Sequence, residues 1–178
     1  ADKVLARTNN NLSFTPTVSA TYLFTIDATD SEAPVLLVEN EEPYVGTPVY
    51  LRGAMNGWGT DEEFVYQGGR IYTFARDIDA GSYEFKVASE DWSTVNFGAL
   101  TGNDADRILT PGQTLSVAAT NDNLVLNVES ADRYVFVFNV TDVNAPTLGV
   151  FKENYWGDTD VYIRGGMNGW GVEDMFSY

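Results

Sequence analysis

The chain has no cysteine and no histidine, and only 10 basic residues against 26 acidic ones. Without cysteine there is neither a disulfide nor a thiolate metal site, so redox logic does not fix a compartment. Without histidine the usual general base of triad chemistry is missing. The formal net charge of −16 argues against nucleic acid as a partner, because phosphate neutralisation needs Lys and Arg. It disfavours anionic membrane surfaces for the same reason. No apolar run approaches the roughly 20 residues of a membrane span. No basic-then-apolar start resembles a secretory leader, and the expectation is that any such segment has been removed. No stretch of useful length carries a helical stripe. What is plentiful is apolar and aromatic material, 44% and 13% of 178 residues, which suffices for a packed core.

One phrase occurs twice. Val49-Tyr50-Leu51-Arg52-Gly53-Ala54-Met55-Asn56-Gly57-Trp58-Gly59 returns as Val161-Tyr162-Ile163-Arg164-Gly165-Gly166-Met167-Asn168-Gly169-Trp170-Gly171. The step from Gly53 to Gly165 holds without a gap well beyond the phrase. It relates Tyr22 and Phe24 to Tyr134 and Phe136, Ala33-Pro34 to Ala145-Pro146, and Leu36 and Val38 to Leu148 and Val150. The repeating unit is therefore of domain size. Residues 43–153 hold each segment once and form the complete copy. Residues 1–42 correspond to the closing strands of a preceding repeat, and 154–178 to the opening strands of a following one. Neither partial copy contains a counterpart of Ile71–Trp92, so neither closes a core alone. The expectation is a chain cut from a longer tandem protein, or one completed by neighbouring copies. Tyr44 and Trp156 align across the repeat, and are expected at a module junction.

Period-two alternation marks the strands. In Ser82-Tyr83-Glu84-Phe85-Lys86-Val87 the apolar residues share one face, and Glu84 and Lys86 the other. Asp132–Val140 is rich in Val, Phe and Tyr. Further strands are expected at Pro48–Met55, Glu63–Tyr66, Ile71–Ile78, Thr114–Ala118, Leu124–Val128 and Thr147–Phe151. Asn56-Gly57, Gly68-Gly69, Ala80-Gly81 and Pro111-Gly112 supply turns between them. Short strands with Gly-marked turns predict an all-β, antiparallel, immunoglobulin-like β-sandwich. Its core should include Tyr83, Phe85, Val87, Leu124, Leu126, Tyr134, Phe136, Phe138 and Leu148.

The order of Val49–Trp58, then Gly81–Val87, then Glu90-Asp91-Trp92 resembles the starch- and glycogen-binding β-sandwich modules. These occur on pullulanases, branching enzymes and the β subunit of AMP-activated kinase. The likeness covers the central copy and is greatest to modules near the N-termini of secreted bacterial pullulanases. It implies non-catalytic binding of an α-glucan (starch, glycogen or pullulan) by an accessory module of a larger secreted protein. It also implies a platform of Trp58, Lys86 and Trp92. A looser match extends it to Asn121 and Asn123 in Thr120-Asn121-Asp122-Asn123.

The residues themselves are compatible with that role. A sugar ring has an apolar C–H face and a rim of hydroxyls, so a binder needs presented flat aromatics and a few directed polar groups. Trp58 follows a tight Asn-Gly turn, Trp92 lies in the polar turn Ser89–Ser93, and Lys86 points away from the core by alternation. Each also has a purely structural reading: a plug at the sandwich end for a tryptophan, a solvated strand position for the lysine. Arg52 and Arg164 are expected to pair with nearby carboxylates. The alternative function is a structural tandem repeat in an extracellular stalk, adhesin or head-to-tail filament. An enzyme is disfavoured because a sandwich of this size offers no deep cleft, although carboxylates such as Asp61, Glu62, Glu90 and Asp91 abound. No cofactor or metal is expected. Gly102–Asp106 offers alternating oxygen ligands but lacks the Gly and terminal Glu of a calcium loop, and is read as solvated.

Overall fold

Alternation sets which residues meet in the interior. The computed structural model describes residues 3–5, 11–153 and 161–176. An N-terminal group comprises β1 (Lys3–Val4), β2 (Tyr22–Asp27) and β3 (Val35–Asn40). The central stretch contributes β4 (Tyr50–Gly53), β5 (Val65–Gly68), β6 (Ile71–Ile78), β7 (Gly81–Ala88) and β8 (Asn96–Ala99). It continues with β9 (Ile108–Leu109), β10 (Gln113–Ala118), β11 (Leu124–Val128), β12 (Asp132–Asn139) and β13 (Thr147–Lys152).

The central strands form a β-sandwich. One layer runs β5-β6-β12-β13-β10, and the other places β7 between β4 on one edge and β11 and β8 on the opposite edge. Strand β10 belongs to both layers. Its first part pairs with β13, and Val117 and Ala118 pair with Ala99 and Gly98 of β8. All pairings are antiparallel except β9 with β11, which is parallel. Phe85 from one layer meets Phe136 from the other edge-on at 5.9 Å, and Phe97 meets Phe138 at 5.4 Å. Every residue expected in the core is buried except Tyr83, which is half-buried with its hydroxyl donating to the Asp79 carbonyl. Tyr44 stands at the start of the complete copy. It packs on this core, stacked on Phe138 at 6.3 Å, and burial pushes its phenol up to about 12. Trp156 lies outside the described residues.

The short strands β8 and β9 went unread in the sequence, because Asn96–Ala99 and Ile108-Leu109 are too brief to show a period. Gly102–Asp106 is largely exposed, as expected, and is partly ordered. Asp104–Arg107 makes one helical turn, and Asp106 accepts a 2.5 Å hydrogen bond from the Thr101 hydroxyl.

The repeat is structural as well as sequential. Strands β2 and β3 pair in the register of β12 and β13 one step later, Tyr22 with Asn40 as Tyr134 with Lys152. Likewise Lys3 pairs with Leu36 as Leu115 does with Leu148. The following copy begins to repeat too, with a bridge between Tyr162 and Met175 matching that between Tyr50 and Glu63. Among the described residues this bridge is the strand pairing that forms in the 154–178 segment expected to open a following repeat, and 154–160 lie outside the described residues.

Burial is not repeated. Phe136 and Phe138 are 0% exposed, whereas their counterparts Phe24 and Ile26 are 54% and 63% exposed. The reason is the missing middle of the module, since β12 is covered by strands that the N-terminal group lacks. A cavity of about 610 Å³ is this uncovered trough, lined in part by Phe14, Tyr22, Phe24, Leu36 and Val38. At the other end Ile163 and Phe176 are exposed, although Leu51 and Phe64, their counterparts, are buried. Among the described residues, neither the central module nor the opposite end of the chain covers these faces. The N-terminal group is nevertheless tied to the sandwich. Glu39 pairs with Arg70 at 3.0 Å, and Glu41 accepts from the Gly69 amide at 2.9 Å and from the Tyr66 hydroxyl.

Candidate functional site

The turn after β4 is built to present Trp58. Gly53 lies so close to β7 that a Cβ there would come within 2.5 Å of the Phe85 Cβ. The chain then enters a 3-10 turn, Ala54–Asn56, whose exit is left-handed at Gly57. Asn56 pins it, accepting from the Gly53 amide at 2.9 Å and donating to the Leu51 carbonyl and the Glu62 carboxylate at 2.7 Å. Trp58 follows with φ of 64°, and its amide donates to the Gly53 carbonyl at 2.9 Å.

A second turn presents Trp92. Ser89 is buried, donates to Asp91 and accepts from the Val95 amide at 3.0 Å. The Asp91 carboxylate also receives the Ser93 amide at 3.1 Å, the Thr94 amide at 3.3 Å and both hydroxyls. Trp92 sits inside this network with φ of 59°. A bulky side chain at positive φ is uncommon and costs on the order of 1–3 kcal/mol. Both tryptophans carry that cost, and so does Trp170 with φ of 62°.

The two half-buried indoles come together, ring centroids 6.1 Å apart and planes tilted by 44°. Beneath them lies Arg52, opposite Lys86 in the β4–β7 register and therefore on the same outer face. Its guanidinium is 3.8 Å from the Trp92 ring centroid. Nε and Nη2 donate to the Trp58 carbonyl at 3.0 and 2.8 Å, and Nη1 donates to the Ser89 and Glu90 carbonyls, each at 3.0 Å. The sequence reading of Arg52 is thus corrected, since it bonds carbonyls of two turns and no carboxylate. Charge-assisted hydrogen bonds contribute about 1.5–3 kcal/mol each, enough to offset the backbone cost at the tryptophans.

Lys86 also requires correction. Alternation puts it on the outer face, but it is 4% exposed rather than solvated. The Thr120–Asp122 loop lies over it, and its ammonium donates to the Thr120 carbonyl. Burial lowers its pKa, opposed by the nearby Asp122 carboxylate. Gly98 makes this covering possible. A Cβ there would lie 2.0 Å from the Asp122 carbonyl and 3.0 Å from the Lys86 Cε. Gly98→Ala should therefore lift the loop and destabilise the fold by about 1–3 kcal/mol, read as a lower thermal midpoint.

Asn121 and Asn123 line a separate polar groove of about 240 Å³ with Glu84, Gly102, Arg107 and Asp122. Asn123 donates to Glu84 at 3.2 Å, and Arg107 pairs with the same carboxylate at 3.4 Å. Glu84 precedes Lys86 by two positions on the outer face of β7, so groove and Trp pair occupy the same side of the sandwich. Sequence reasoning missed Arg52, Ser89, Asp91, Glu84 and Arg107. A signal existed only for Arg52, which recurs as Arg164 at the same distance from a tryptophan.

Hydrogen bonds from Ser89, Ser93 and Thr94 hold the Asp91 carboxyl well below the usual carboxylate range. A depressed folded value means that its contribution is present above the unfolded value, about 3.9, and is lost as pH falls toward the folded one. The Trp92 turn should therefore be unchanged from pH 8 to about 5 and loosen progressively below 4. Near-ultraviolet circular dichroism of the indoles measures this directly.

Among the described residues no group of three or more Asp or Glu side chains is arranged to hold a metal, and no helix is long and apolar enough to cross a membrane. No protein-family model and no curated protein matches the sequence. A solved structure does. The one described as the ligand-induced structure of AmyP-SBD aligns with a TM-score of 0.50 and 24% identity, over 83% of this chain and 99% of that one. The likeness bears on the fold alone, a β-sandwich.

Proposed function

We propose that the central module binds an α-glucan without catalysing a reaction on it, using Trp58 and Trp92 as its platform. The observation that carries this reading is the pair of indoles, each held at a costly positive φ, 6.1 Å apart and tilted by 44°. Backbone strain of this kind persists where surrounding structure over-determines it, and it clusters at ligand clamps. The tilt favours a curved ligand. An α-1,4 glucan turns from one ring to the next, so successive apolar faces suit inclined indoles, whereas a flat β-1,4 ribbon suits coplanar ones. The structural neighbour adds support, being a starch-binding domain. Asn121 and Asn123 serve as polar contacts in the groove on the same side of the sandwich, and Lys86 acts beneath them by holding the Thr120 carbonyl of their loop. The module acts as an accessory to a larger secreted protein that works on glucans.

A second reading is favoured by the repeat. The residue-for-residue register match between β2–β3 and β12–β13 suits a tandem array in which sandwiches are spacers joined through contacts such as Glu39 with Arg70. The two readings part at one experiment, electrophoresis through native gels containing soluble starch, a soluble β-glucan or neither. Retardation by starch alone is the expected result. Equal mobility in all three gels overturns the glucan reading and leaves the spacer.

A further inference from the structure

The Trp58 turn and the Trp92 turn lie far apart in the chain, with β5, β6 and β7 between them, yet one side chain bonds both. We infer that Arg52 is a positioning residue that sets the distance and tilt of the two indoles before ligand arrives. For its binding consequence the inference rests on the glucan reading above.

The molecule contains its own control. In the following copy Arg164 Nε donates to the Trp170 carbonyl at 2.8 Å, as Arg52 Nε does to that of Trp58. Asn168 pins the turn through the Gly165 amide at 2.9 Å, as Asn56 does through that of Gly53. Trp170 adopts the same positive φ. The described residues of that copy include no equivalent of Ser89–Trp92. The arginine–tryptophan half of the arrangement therefore forms locally, from the repeated phrase alone. What the second turn adds is the use of Nη1, which takes the Ser89 and Glu90 carbonyls and brings the Trp92 ring over the guanidinium. The indole also changes state. Trp170 is 67% exposed, whereas Trp58 is half-buried against its partner.

Geometry explains why arginine stands here. The carbonyls to be joined belong to two separate turns, and the guanidinium offers forked donors in fixed directions while its flat face meets the indole. A lysine ammonium is a single point on a flexible stem. It can satisfy one turn but cannot hold both in register. Preorganisation of this kind reduces the ordering cost of binding.

Arg52→Ala and Arg52→Lys test the inference, the second keeping the charge and the stem in case the first fails to fold. Two indoles at 6.1 Å couple their transitions, so the wild-type chain should show an exciton couplet in circular dichroism. Both variants should lose most of the couplet in the cold, well below their thermal midpoints, and bind soluble starch at least tenfold more weakly. A merely structural role would lower the midpoint but leave the couplet of the folded protein intact. The inference is overturned if a folded variant keeps the couplet, whether it binds normally or not. Weakened binding with an intact couplet would make Arg52 a direct ligand contact instead. If the wild-type chain itself ignores starch, the glucan reading fails, and loss of the couplet still establishes the positioning role.

Discussion

Trp92→Ala is expected to abolish retention on starch while leaving the sandwich folded. The indole is half-buried, and its neighbours are Trp58 and the Arg52 guanidinium rather than the core. Removing it empties half of the platform. Central aromatic contacts of this kind carry about 2 kcal/mol or more of binding free energy, roughly a thirtyfold loss of affinity. The fold should survive, because the Ser89–Thr94 turn is organised by Asp91 and Ser89 and not by the indole. Trp58→Ala should behave in the same way, whereas Trp170→Ala should not change binding. Its indole is 67% exposed and has no second tryptophan within reach among the described residues. The measurement is affinity electrophoresis beside a thermal melt of each variant. Normal starch binding by Trp92→Ala would remove the platform assignment.

The second large effect separates two positions that the repeat makes equivalent. Phe138→Ala should destabilise the protein by about 3–5 kcal/mol, the usual cost of truncating a buried phenylalanine. Its ring is fully buried and meets Tyr44, Phe64, Tyr72 and Phe97. That is a large part of the roughly 5–15 kcal/mol by which domains are stable, so partial unfolding at physiological temperature is expected. Ile26→Ala, one repeat earlier, should change the thermal midpoint little, because Ile26 is 63% exposed and leaves no cavity. Denaturant unfolding of the two variants compares them directly. Equal destabilisation would mean that the N-terminal strands are covered in solution, by another copy of the chain or by a neighbouring module.

The pair shows how far sequence reaches. The constant step of the repeat locates Ile26 and Phe138 at the same place in the same hairpin, and the register agrees residue for residue. Pairing of neighbouring strands is a local matter of turn chemistry and alternation, and both are written in the repeated residues. Burial is not local. It depends on whether β4, β7 and β11 are present to cover the hairpin, and no property of Phe24 or Ile26 reports that.

The candidate site divides along the same line. Sequence by itself determined the β-sandwich, its expected core residues apart from Tyr83, and the turn that lifts Trp58. Alternation and the Asn-Gly pair act over a short span of chain, and Arg164 with Trp170 shows that the turn forms wherever the phrase occurs. Only the tertiary structure decided what surrounds that turn. It bent Ser89–Thr94 around Asp91 to face Trp58, and turned Arg52 from a supposed carboxylate partner into a tie between two loops. It also closed the Thr120–Asp122 loop over Lys86. Alternation tells which face of a strand a side chain leaves from. Whether that face meets water, an indole or a covering loop is set by segments distant in the chain, through contacts such as Lys86 with Thr120 that no local pattern encodes.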